Sequence, residues 1–142
     1  MVLRLVVDTN VLFSIFKRDS GTRKIIYENI FYIELHSPIF AIWEMKEIKD
    51  EIIKKAKITE EEFYKILEEI SEIVSLWPIE KYIDFLPIAE EITPDPDDIP
   101  FVALALKLNA YLWTNDKRLK EIKEIKVITT PELVRLLNTV TF

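Results

Sequence analysis

Four acidic side chains are placed where they could do chemistry together: Asp8, Glu44, Asp98 and Asp116. Asp8 closes the short apolar run Leu3 to Val7, and Asp116 follows the apolar run Tyr111 to Thr114. Asp98 lies at the start of the apolar helix that leads into that second run. Sites in open parallel sheets form outside the carboxyl ends of the strands. These three acids therefore fall at or beside one edge. Glu44 stands about two turns into a helix after another strand. Its helical neighbours Ala41 and Glu47 are not a deep apolar stripe, so it can point to the same edge. Each acid also has a plainer role. Asp8 and Asp98 can cap helices, with Asp95 or Asp97 as alternatives to Asp98. Asp116 can make an Asx turn. Glu44 is one of 17 Glu residues and can sit on a solvated helix face. Taken together, carboxylates crowded within several ångströms would repel each other and raise their pKa values. A divalent cation relieves that repulsion. With only oxygen ligands on offer, Mg²⁺ or Mn²⁺ is favoured over Zn²⁺. The chain has no Cys and one His, His36, which leaves no thiolate and little for a Ser-His-Asp triad. The chemistry that remains is hydrolysis by metal-activated water, with a carboxylate taking the proton and a phosphodiester as the best-suited substrate.

The elements that must position these acids can be read from periodicity. Leu3 to Val7 reads as a strand buried on both faces, as a parallel sheet requires. Asn10 to Phe16 is expected to be helical, and Ser20 to cap a second helix through Ile25, Ile26 and Ile30. Phe31 to His36 reads as a second strand. Ser37-Pro38 carries a helix-start signature, Ser at the cap and Pro at the first helical position. Ile42, Met45, Ile48, Ile52 and Ala56 follow at helical spacing. Thr59 to Glu62 is a capping box, followed by the stripe Phe63, Ile66, Leu67, Ile70 and Val74. Leu76 to Ile79 fits a short third strand, at an edge because of Pro78. Asp97 or Asp98 starts a helix over Phe101 to Leu108, and Asn109 suits a left-handed cap. Tyr111 to Thr114 and Lys126 to Ile128 read as strands, and Thr130-Pro131 opens the last helix. Strands and helices alternating in this way imply a three-layer α/β/α sandwich on a mostly parallel sheet.

The 142 residues suit a single domain over residues 1–142, large enough to bury roughly 70% of its unfolded surface. Apolar residues make up 49% and charged residues 31%, the mix of a water-soluble globular protein. No apolar run approaches a membrane span, and Arg4 and Asp8 interrupt the N-terminal stretch, so the expected location is cytoplasmic. The net charge of −6 argues against a broad nucleic-acid-coating surface, while leaving room for a local site. Abundant Lys and Glu, absent Gln and Cys, and a single Gly give a composition similar to that of hyperthermophile proteins.

Several segments, in order, resemble the PIN-domain family of nucleases. Val6 to Leu12, with Asp8, is similar to the family's opening strand and acid. Ser37 to Glu47, with Glu44, resembles its second acidic helix. Asp95 to Leu106 resembles the third motif, and Trp113 to Lys117 the fourth. Thr129 to Glu132 resembles an ending seen in a toxin-like, VapC-type subgroup. The resemblance implies a Mg²⁺- or Mn²⁺-dependent endoribonuclease with Asp8, Glu44, Asp98 and Asp116 as its catalytic and metal-holding cluster. Asn10 and Thr114 would then support the carboxylates by hydrogen bonds. It further implies an RNA substrate, a small antitoxin partner and a homodimer. A housekeeping RNA-processing nuclease and a catalytically idle binding module of the same fold are the alternatives. Two other Asp-led α/β classes fit less well. A haloacid-dehalogenase-type phosphatase needs a second Asp where Asn10 stands, and a receiver domain needs an acidic pair where Asp8 is alone.

RNA needs cations for its phosphates. Lys46, Lys117 and Arg118 are the candidates for RNA contact, with Lys17 and Arg18 nearby in sequence, although each could be an ordinary solvated side chain. Trp43, Trp77 and Trp113 could stack on bases; Trp113, within an apolar strand, is expected in the core. His36 is expected at a cap or on the surface.

Overall fold

The computed structural model describes residues 2–140; Met1, Thr141 and Phe142 of the expected domain lie outside them. Five strands form one all-parallel sheet in the order β3-β2-β1-β4-β5. They are β1 (Leu3–Val7), β2 (Ile33–Pro38), β3 (Val74–Trp77), β4 (Tyr111–Trp113) and β5 (Lys126–Ile128). The expected α/β sandwich with a parallel sheet is thus the observed architecture.

The central strand explains itself. Leu3, Leu5, Val6 and Val7 are all buried, as a strand covered on both faces requires. Each such side chain contributes roughly 1.5–3 kcal/mol when fully buried. Arg4 is the one exposed position. It lies opposite Glu34 in register and pairs with it at 3.5 Å.

The chain leaves β1 through α1 (Thr9–Ser14) and α2 (Gly21–Glu28) to β2. It then runs through α3 (Phe40–Glu47), α4 (Lys49–Ala56) and α5 (Glu60–Ile73) to β3. It returns through α6 (Leu86–Ile92) and α7 (Ile99–Leu108) to β4, and ends with β5 and α8 (Thr130–Val140). With this strand order, the right-handed rule for parallel crossovers assigns α1 to α5 to one face of the sheet and α6 and α7 to the other. On the first face Phe16 and Phe63 stack with ring centroids 5.1 Å apart, joining the end of α1 to α5. On the second, α7 is buried from Phe101 to Ala105. It ends at Asn109, in the left-handed region at φ 51°, as expected of that residue.

Ser20 and Thr59 cap α2 and α5 as expected, the latter with a complete capping box. Four expectations need correction. Ser37-Pro38 does not start a helix: both residues belong to β2, opposite Leu76 and Trp77. Pro38 lacks an N–H, but the ladder continues one residue later, where Ile39 N donates to Trp77 O at 2.9 Å. The helical run after it is two helices, broken at Ile48, whose backbone leaves helical geometry (φ −103°, ψ 24°). Val74 opens β3 rather than closing the stripe of α5. His36 is neither a cap nor on the surface. It is buried in β2, facing Glu34 Oε1 at 3.2 Å and accepting from Trp77 Nε1 at 3.0 Å. No described helix is long and apolar enough to cross a membrane.

Candidate active site

The strand order reverses beside β1: the chain first builds outward through β2 and β3, then returns to place β4 on the other flank. That reversal opens a crevice beyond the carboxyl ends of β1 and β4, where α/β sheets bind ligands. A cleft there is lined by Asp8, Asn10, Glu44, Asp98, Asp116 and Arg118, with Asp95 and Asp97 alongside.

Asp8 follows β1 directly, and its N–H still reaches Trp113 O at 3.3 Å. Its side chain is only 5% exposed. Oδ1 accepts the N–H of Val11 at 2.9 Å, so the capping role is real. Oδ2 accepts the hydroxyl of Thr114. Thr114 Oγ1, itself fully buried, accepts the N–H of Asp116 at 3.1 Å. One hydrogen-bond chain thus ties the end of β1 to the turn after β4. Burial pushes the Asp8 carboxyl above its ordinary value. The bonds from Thr114, Val11 and Asn10 oppose that rise, and the charge of Asp116 adds to it.

Asp98 precedes α7 but makes no capping bond; Asp95 caps the preceding 3₁₀ turn through the N–H of Asp97 at 3.0 Å. The Asp98 carboxylate accepts no hydrogen bond among the described residues. Burial raises its pKa to about 6, helped by repulsion from Asp95, Asp8 and Asp116 and opposed by Arg118. Glu44, on α3, is raised by burial first and then by Asp97 and Glu47. Asp116 moves the other way. Arg118 Nη2 donates to its Oδ2 at 2.8 Å and Nε to its Oδ1 at 3.1 Å, holding the carboxyl below its usual range. The N–H of Arg118 also donates to Oδ1 at 3.0 Å, so the expected Asx turn is present.

The structure thus brings all four expected acids, and Asn10, to one cleft, with Thr114 behind it. Among the described residues, however, no three acidic side chains are grouped closely enough to form a ready-made metal site. Arg118 is held on Asp116, with Nη2 to Oδ2 at 2.8 Å. The donor set still suits a hard cation: it is all carboxylate oxygen, and Asp98 and Glu44 accept no hydrogen bond among the described residues.

Of the expected cations, Arg118 lines the cleft while Lys46 and Lys117 do not. Arg18 bonds Lys57 O at 3.1 Å and Glu62 at 3.4 Å, and Lys17 lines a separate groove between α1 and α4. Trp113 is buried, its Nε1 donating to Thr130 Oγ1 at 2.9 Å, and Trp43 is exposed. The role of Asp95 and Asp97 as charged neighbours of Asp98 and Glu44 was visible in the sequence only as crowding.

A chain of VapBC2 of Rickettsia felis, solved with a DNA fragment from its promoter, superimposes with a TM-score of 0.65 at 15% identity, covering 89% of this chain and 98% of that one. A chain of VapBC-1 of nontypeable Haemophilus influenzae gives 0.61 at 21% identity, with coverage of 89% and 98%. A chain of DNA-bound VapBC of Salmonella typhimurium gives 0.62 at 18% identity, with coverage of 90% and 98%. These likenesses establish the fold. Among curated proteins no sequence matches the chain. The family model described as the PIN domain matches residues 6–133. With the sheet order, the cleft and that match over most of its length, the chain belongs to the PIN-domain family.

Proposed function

We propose that this protein is a Mg²⁺- or Mn²⁺-dependent endoribonuclease, the toxin subunit of a toxin–antitoxin pair, acting in the cytoplasm as a homodimer bound by a small antitoxin. The observation that carries the catalytic reading is the meeting of Asp8, Glu44, Asp98 and Asp116 from four separate segments around one cleft at the switch point of the sheet. The family match and the VapBC neighbours support the toxin reading.

Asp8, Glu44, Asp98 and Asp116 would hold the cation. When bound, Mg²⁺ or Mn²⁺ supplies a more acidic water and neutralises charge building on phosphate oxygens. The chain's own residues do the rest. Thr114 ties the Asp8 carboxylate to the Asp116 backbone in one hydrogen-bonded unit, so the two segments that carry these acids keep a set spacing. A carboxylate of the cleft would take the proton that the water gives up. Among the described residues, Arg118 is the cation that lines the cleft and could meet a phosphate.

The test is cleavage of a panel of structured RNAs with Mn²⁺, with excess EDTA, and with Asp8→Asn. Cleavage that needs the metal and vanishes in the variant is the expected result. Cleavage that persists in EDTA rejects the metal mechanism, and retained activity in Asp8→Asn rejects the site.

A further inference from the structure

Arg118 is bound more completely than a phosphate-seeking cation needs to be. Its guanidinium straddles both oxygens of Asp116, with contacts of 2.8, 3.1 and 3.3 Å, and its own N–H adds a fourth at 3.0 Å. It faces Asp95 and Asp98 as well. The other carboxylates of the cleft are placed differently. Asp8 is held by a backbone N–H and a hydroxyl, while Asp98 and Glu44 accept no hydrogen bond among the described residues. Asp116 is therefore the one candidate ligand already carrying a cation. The guanidinium itself is open to water, its side chain 71% exposed against 25% for Asp116. It can swing out into water without opening the core.

We propose that Arg118 is a resident counter-cation that competes with the divalent ion for Asp116. The ion enters as the guanidinium leaves, so metal loading and the release of Arg118 into the cleft mouth are one event. Because a guanidinium leaves Asp116 as the divalent ion arrives, the charge held against Asp116 rises by one unit rather than two. The acids stay in place without metal, and the site accepts a metal only at a discount set by Arg118. This rests on the metal-site reading given above.

The experiment is Mn²⁺ titration of the full chain at neutral pH and low salt, following the free ion by electron paramagnetic resonance. Wild type is compared with Arg118→Gln, Arg118→Lys, Asp116→Asn and the double variant Asp116→Asn/Arg118→Gln. Arg118→Gln should bind Mn²⁺ roughly fivefold more tightly, the scale of one exposed ion pair. Arg118→Lys, with a charge but no fork, should fall between it and wild type. In the Asp116→Asn background the Arg118→Gln gain should disappear, since the shared partner is gone. Unchanged or weaker binding in Arg118→Gln overturns the competition. A gain that survives in Asp116→Asn overturns it too, by showing general charge repulsion in place of a shared ligand. No binding in any of the five proteins overturns the metal site itself, and the competition with it.

Discussion

Replacing Asp98 by Asn should stabilise the metal-free protein while removing one of the four proposed ligands. In the folded chain the Asp98 carboxyl sits at about 6 against an ordinary 3.8. A folded-state value above the unfolded one means that the folded chain holds the extra proton between those pH values. Its stability therefore falls as pH rises from about 4 through 6. For a fully shielded group the gap corresponds to roughly 3 kcal/mol at pH 7. Asp98 is only partly buried, so screening by water reduces this to about 1–2 kcal/mol. Asn is near in shape and carries no charge, so Asp98→Asn should recover that amount. For a domain of this size the gain is roughly 3–8 °C in melting temperature. The assay is thermal and urea unfolding of wild type and variant in EDTA, from pH 4 to pH 8. The two curves should converge near pH 4 and separate progressively up to about pH 7, with the variant above. Adding Mn²⁺ should raise wild type and leave the variant nearly unmoved. A variant less stable than wild type at pH 7, or a gap independent of pH, refutes the reading that burial and neighbouring acids make the ionised Asp98 costly.

Three other outcomes follow from the same geometry. Asp8→Asn should keep the Val11 cap through its carbonyl oxygen and fold normally by circular dichroism, while RNA cleavage falls at least about 100-fold, in the range of losing a group central to the transition state. Thr114→Val should lose about 1–3 kcal/mol in urea unfolding, because it strips a hydroxyl from buried Asp8 and an acceptor from Asp116 N–H; it should also lower cleavage with intact carboxylates. Phe63→Ala, removing the fully buried ring stacked on Phe16, should cost about 3–5 kcal/mol and leave metal affinity in the surviving folded fraction unchanged.

Much of this was legible in the sequence where one local rule acted unopposed. Leu3 to Val7 has no competing pattern, so the buried strand and the edge acid Asp8 follow from composition alone. Thr59 with Glu62, and Asn109 after an apolar run, announce their caps because each motif needs only its own neighbours. Ser37-Pro38 misleads because its meaning is set by a partner far away in sequence. Pairing with Leu76 and Trp77 extends β2 through a residue that local preference would use to open a helix. The break at Ile48 leaves no cap signature of its own: α4 has no side-chain cap. At the site, residue types and strand ends were enough to locate four acids. They were insufficient to show which carboxylates are free. That Asp8 is shared between Val11 and Thr114, and Asp116 between its own turn and Arg118, depends on side-chain rotamers that spacing does not encode.

A shared ion is the central claim for these four acids. Calorimetric titration of Mn²⁺ into wild type and into Asp8→Asn, Glu44→Gln, Asp98→Asn and Asp116→Asn measures this directly. Saturable binding to wild type that each of the four substitutions weakens is expected, with Glu61→Gln, in the first turn of α5, binding as wild type does. Binding indifferent to all four, or none in wild type, would contradict that claim.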